Sequence, residues 1–131
     1  MVMRRLLVTG LAGALAGACA SPSVVPATPV ATPTPTGLEG AVLAARADAA
    51  RRTGVAAESL VLVSAEPVTW SDGSLGCPQP DMMYTQALVP GYRVRLRGSA
   101  GEMDYHASAR GALVLCPPGR AASPLPDDAR R

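Results

Sequence analysis

Two short runs in the second half of the chain constrain its fold more than any other feature. From Tyr92 to Arg97, Tyr92, Val94 and Leu96 alternate with Arg93, Arg95 and Arg97. From Glu102 to Ala107, Met103, Tyr105 and Ala107 alternate with Glu102, Asp104 and His106. Period-two alternation marks a strand with one buried and one solvated face, and Gly98-Ser99-Ala100-Gly101 between the runs is turn chemistry. Pairing them across this turn sets Arg97 opposite Glu102, Arg95 opposite Asp104 and Arg93 opposite His106. Leu96 then meets Met103, and Val94 meets Tyr105. Charge and hydrophobicity select the same register, and a slip of one residue would turn every side chain to the wrong face.

Upstream, Thr36-x-x-Glu39 fits a capping box at a helix start. The following residues, mostly Ala, Leu and Arg, are strong helix formers and predict a helix over Leu38–Thr53. Leu38, Val42, Ala45 and Ala49 form its apolar stripe, Arg51 and Arg52 favour its C-terminal end, and Gly54 ends it. Leu60 to Ser64, continuing through Val68 to Trp70, reads as a strand in which Pro67 marks a bulge or an edge. Ser71 to Pro80 is a loop. Tyr84 to Val89 reads as a further strand, and Pro90-Gly91 matches the central pair of a type II turn. Ala112 to Cys116 is the last strand, reached by a turn near Ser108 to Gly111. The expected fold is α+β: one N-terminal helix packed on a four- to five-stranded antiparallel sheet, with one disulfide. The helix covers one sheet face, and the Arg/Asp/Glu face of the hairpin stays in water.

The first 36 residues do not belong to that domain. Arg4 and Arg5 precede an apolar run from Leu6 to Ala18, and Cys19 follows. This is the pattern of an export signal. At about thirteen residues the apolar run is shorter than the roughly twenty that a membrane span needs. A thiol at this place is similar to the lipid-attachment site of bacterial lipoproteins, although Ala16 stands where their motif has Leu. The rival reading is cleavage at Ala18-Cys19-Ala20, which releases a soluble chain from Ser21. Residues 1–18 are thus expected to be the signal peptide and 19–36, with proline every few positions, an extended tether. Residues 37–117 form the domain, and 118–131 a mobile tail.

A domain of about 80 residues has a marginal core and commonly needs a staple. This one has no Phe and a single Trp to fill its interior. After export, Cys77 and Cys116 meet an oxidising compartment in which pairing is the default. Their bond closes a loop of about forty residues, which the chain-entropy model values at roughly 4 kcal/mol. The formal charge of +2 resides in the signal. Without Arg4 and Arg5, ten Arg balance ten carboxylates, so the electrostatic footprint of a nucleic-acid binder is missing.

The block from Trp70 to Pro80 (WSDGSLGCPQP), then Met82 to Gln86 (MMYTQ) and Val89 to Tyr92 (VPGY), resembles a group of small exported bacterial proteins of unknown function. These carry a W-x-D-x-S-L-G-C-P block and a later P-G-Y. Tyr105-His106 and Leu115-Cys116 fit the same pattern, and the resemblance spans Leu60 to Cys116. It implies a domain definition and no activity. The helix-on-sheet layout also has a looser likeness to cystatin-like folds, whose inhibitors present a Q-x-V-x-G hairpin to papain-type proteases. Gln86 to Gly91 echoes that hairpin with Leu88 in place of the valine and one residue more before the glycine.

His106, the sole histidine, is expected on the solvated hairpin face beside Arg93. A Cys/His nucleophilic site with Cys77 or Cys116 is the rival, and export disfavours the free thiolate it needs. Cys77, Cys116, His106 and Asp81 match no zinc spacing, so neither metal nor cofactor is expected. Asp72-Gly73 reads as turn chemistry. The expected function is that of a non-enzymatic binding or accessory domain of the cell envelope, monomeric and attached to the membrane through a lipid on Cys19. Its partner would be an envelope protein or peptide, with no nucleic acid. Trp70, Asp72, Leu75, Met82, Met83 and Tyr84, in and beside the long loop, form the candidate binding surface. The alternatives are a protease inhibitor of cystatin-like layout and a Cys/His-dependent enzyme.

Overall fold

A computed structural model of the chain describes residues 36–126. The export signal, Cys19 and almost all of the tether lie outside the described residues, as do the last five positions. The domain is one helix followed by a four-stranded antiparallel meander: α1 (Gly37–Thr53), β1 (Val61–Trp70), β2 (Val89–Gly98), β3 (Gly101–Ser108) and β4 (Leu113–Cys116), in sheet order β1-β2-β3-β4. Among the described residues no helix is long and apolar enough to cross a membrane.

The β2–β3 register is the one the charge pattern selects. Arg97 pairs with Glu102, Arg95 with Asp104, Arg93 with His106, Leu96 with Met103 and Val94 with Tyr105. On the helix-facing side, Ala45 and Ala49 pack with Leu60, Val94, Leu96 and Tyr105 in a buried cluster flanked by Ala41, Val42, Met103, Leu113 and Leu115. The small alanines let the helix backbone approach the sheet closely. The Tyr105 hydroxyl donates to Asp48 Oδ2 at 3.0 Å. Burial, together with this bond to a carboxylate, pushes the phenol up to about 12. Arg46 donates to the carbonyls of Ala57 and Leu60, which fixes the short 3-10 turn (Ala57–Ser59) between helix and sheet.

Three local expectations are corrected. Thr36 takes extended backbone angles at the N-cap, but its side chain makes no capping bond, so the capping box does not form. At the other end Gly54 is left-handed and donates to Ala50 O, as expected. The strand expected over Tyr84–Val89 is irregular chain as far as Leu88. Pro90-Gly91 is not a turn but lies within β2, opposite Thr69 and Val68. The requirement for glycine there is tertiary. A Cβ on Gly91 would run into the Ala107 carbonyl oxygen and stand 2.9 Å from Trp70 Nε1. The bare backbone leaves room for the indole to reach across β2 and donate to that carbonyl at 3.0 Å. β1 is an edge strand, as Pro67 suggested, but its bulge is at Val63, between Leu62 and Ser64, and not at the proline.

Candidate functional site

The second sheet face is not the open, solvated surface expected of it. Cys116 lies opposite Asp104 and Val114 opposite His106, so these four residues share one face. Cys77 is bonded to Cys116, and this bond draws the segment Ser71–Cys77 down over the face. A second buried cluster results, made of Val68, Trp70 and Leu75 with Val89 and Val114 against them. Trp70 and Leu75 are therefore interior residues, and neither belongs to an accessible binding surface.

The loop is built to make that cover. Asp72 Oδ1 accepts from the Ser74 N–H at 2.8 Å, and Cys77 N–H donates to Ser74 O. Hydrogen bonds from Ser74 hold the Asp72 carboxyl below its ordinary range, the signature of the turn role read from Asp72-Gly73. Leu75 has φ 55°, a left-handed backbone that a branched side chain rarely adopts. Its apolar side chain and its carbonyl both find partners inside. Gly76, with φ 69°, lies against the Trp70 ring, where a Cβ would come within 2.7 Å.

His106 is fully buried, contrary to the surface position expected of it. Its ring stacks on Trp70 with centroids 4.4 Å apart and planes 20° from parallel. Nδ1 lies 2.6 Å from the Leu75 carbonyl. A carbonyl can only accept, so Nδ1 carries the proton in this contact. Nε2 lies 3.4 Å from Asp104 Oδ1, within ion-pair reach but not aligned for a hydrogen bond, and it has no hydrogen-bond partner among the described residues. Asp104 is gripped on its other side by Arg93, whose Nε and Nη2 reach its two oxygens at 3.0 and 2.6 Å. Arg95 and Arg97 share Glu102. The ion pair thus runs diagonally from Arg93 to Asp104, not straight across from Arg95.

Burial by itself would raise the Asp104 carboxyl, but the adjacent His106 and the paired Arg93 overcome it and hold the group well below the usual carboxylate range. A depressed native pKa adds stability above the unfolded-state value of about 4 and loses it as pH falls toward the native one. The folded domain should therefore weaken steadily as pH drops below about 4. Asp104→Asn should flatten that acid limb while lowering stability at pH 7, because Arg93 loses its partner. Urea midpoints measured by Trp70 fluorescence from pH 7 to pH 3 would check this, and an unchanged acid limb in the variant would discount Asp104.

Beyond Cys77 the loop swings outward. Gly73 N–H donates to Thr85 O, and Tyr84 accepts the Gln79 N–H on its hydroxyl at 3.0 Å, closing a small lobe. On this lobe Met82 and Met83 are 59% and 96% exposed, and Leu88 beside it 57%. Leu88 was not among the residues singled out from the sequence, since it sat inside an expected strand. Tyr84 is half-buried. Of the six candidate surface residues, Met82, Met83, Tyr84 and Asp72 keep an accessible place. Gln86–Gly91 forms no hairpin tip, so the echo of a cystatin inhibitory hairpin has no structural counterpart. Cys77 and Cys116 are both consumed by their bond, which leaves His106 no thiol partner among the described residues.

No curated protein and no solved structure matches this chain. Residues 42–116, which run from the first turns of α1 to the second half-cystine, match the family model described as Domain of unknown function (DUF8738). The match takes in the helix, all four strands and the stapled loop, and covers more than half of the chain: the protein belongs to the DUF8738 family.

Proposed function

We propose that the protein is an exported, lipid-anchored, non-enzymatic binding domain of the cell envelope, and that the lobe from Pro78 to Leu88 is its contact surface. The observation that carries this reading is the exposure of Met82, Met83 and Leu88 on an irregular loop whose base is held by a disulfide. Unbranched, polarizable methionines suit a surface that adapts to an apolar partner, and a rigid base limits the ordering cost of binding. Export and anchoring rest on the sequence from Arg4 to Cys19, and the proline-rich stretch after it supplies the reach. Trp70 and Leu75 support the surface from below and do not touch the partner.

Two measurements test the reading. The native protein's intact mass should begin at Cys19 with acyl chains attached and should gain two hydrogens on reduction. A mass beginning at Ser21 would replace the anchor with a soluble product. In cross-linking pull-downs from envelope preparations, Met82→Ser/Met83→Ser should lose at least tenfold of the specifically captured partner while keeping the wild-type unfolding midpoint. Full retention by the folded variant would move the contact surface elsewhere.

A further inference from the structure

The chain's own C-terminal segment lies antiparallel along the outer side of β1. Leu125 N–H donates to the Thr69 carbonyl at 2.9 Å, and three residues earlier Ala122 N–H donates to Gly76 O at 2.8 Å. Thr69 therefore turns its backbone polar groups away from β2, and by the two-residue period of a strand Pro67 shares that outward phase. Proline brings no N–H to this side. The covering segment is Ser123-Pro124-Leu125-Pro126. With the Leu125 amide turned inward to Thr69, Pro124 and Pro126 fall in the opposite phase, and neither has an N–H to present outward. A strand segment of this composition can cover an edge but offers its own outer edge poorly to a further strand.

β1 is an edge in need of cover. It is ten residues long, its single charge is Glu66, and Val61 and Leu62 on it are exposed. Long, weakly charged edges are templates for strand pairing, and proteins commonly blunt them with prolines or a covering segment. The cover is not zipped flat, since a groove of about 530 Å³ remains between Glu66–Val68 and Ser123–Pro126.

We propose that Ser123–Pro126 is a displaceable edge cap and that the β1 edge beneath it is a strand-addition surface for the β1 of a second copy of this chain. Antiparallel pairing of β1 with its own copy satisfies a two-fold axis, and with one charge in ten residues no row of like charges opposes it. The cap holds the protein monomeric, and anything that lifts it allows two copies to join edge to edge. The inference stands independently of what the Met82–Met83 lobe binds.

A chain ending at Ala122 keeps the Gly76 contact and removes the cap. Light scattering after gel filtration should show the full chain as a monomer and the shortened chain as a dimer at micromolar concentration. A synthetic peptide of residues 123–131 added in trans should return the shortened chain to the monomer. Trp70 fluorescence reports whether the shortened chain is folded. A folded, monomeric shortened chain overturns the proposal, as does a full chain that already dimerises to the same extent. If the shortened chain unfolds, Leu125→Pro in the full chain serves instead, because it removes only the inward donor. Dimerisation of that variant supports the cap, and a folded monomer rejects it.

Discussion

Gly91→Ala is expected to destabilise the domain by about 3 kcal/mol, the upper end of what overpacking a close-packed site costs. The added methyl would collide with the Ala107 carbonyl, a backbone atom that cannot rotate aside, and would press on Trp70 Nε1. The likely relief by shifting β2 away from β3 is closed off by the register itself, which is held by backbone pairing from Gly91–Ser108 to Gly98–Gly101. The indole would instead be forced off its bond to Ala107 O, leaving a buried donor and a buried acceptor unpaired, each an added cost of about 1–3 kcal/mol if it stays dry. Urea unfolding followed through Trp70, the single tryptophan, should show both a lower midpoint and an altered native emission. Gly101→Ala is the control for glycine loss, because nothing lies within 4 Å of a Cβ built there, although its φ of 121° adds backbone strain of its own. A native emission unchanged in Gly91→Ala would mean that the indole does not pass over that glycine.

Removing the staple should have an effect of similar size by a different route. Cys77→Ser with Cys116→Ser, or reduction of the wild type, is expected to lower stability by about 4 kcal/mol in the chain-entropy model. That is a large share of the roughly 5–15 kcal/mol typical of a folded domain. The bond spans 39 residues and holds the loop over Trp70, His106 and Val114. Its loss should therefore do more than shift a midpoint. Trp70 emission should move to the red and become accessible to acrylamide, and His106 should exchange its stacked, buried place for solvent. Because the helix-side cluster of Ala45, Ala49, Val94, Leu96 and Tyr105 lies on the opposite face of the sheet, far-ultraviolet circular dichroism should change less than Trp70 quenching at low denaturant. Equal loss of both signals would show that the two faces fold as one unit.

The contrast between these two faces also separates what was legible in the sequence from what was not. Alternation from Tyr92 to Ala107, with matched charges on one side and apolar residues on the other, sufficed for the β2–β3 register, because only one pairing satisfies both. Helix propensity and Gly54 sufficed for α1, since both are local. The pairing of Cys77 with Cys116 followed from their number and from the export pattern. None of these depends on where distant segments pass one another.

The candidate surface did depend on it. Whether Trp70 and His106 face water or each other is decided by the segment Ser71–Cys77, whose path is set by a bond to β4. Cys116, Val114, His106 and Asp104 have the same parity in their strands, so the staple had to pull the loop across the face that charge patterning alone assigned to solvent. The same closure turned Pro90-Gly91 from an expected turn into strand: the glycine is there for a neighbour's indole and carbonyl, not for its own torsion angles. Short-range chemistry in the sequence determined the helix, the hairpin and the disulfide. Burial on the second face, and with it the retreat of the accessible surface to Met82, Met83 and their surroundings, was decided only when a loop distant in sequence was laid over the sheet, because burial depends on which segments come together and not on any one of them.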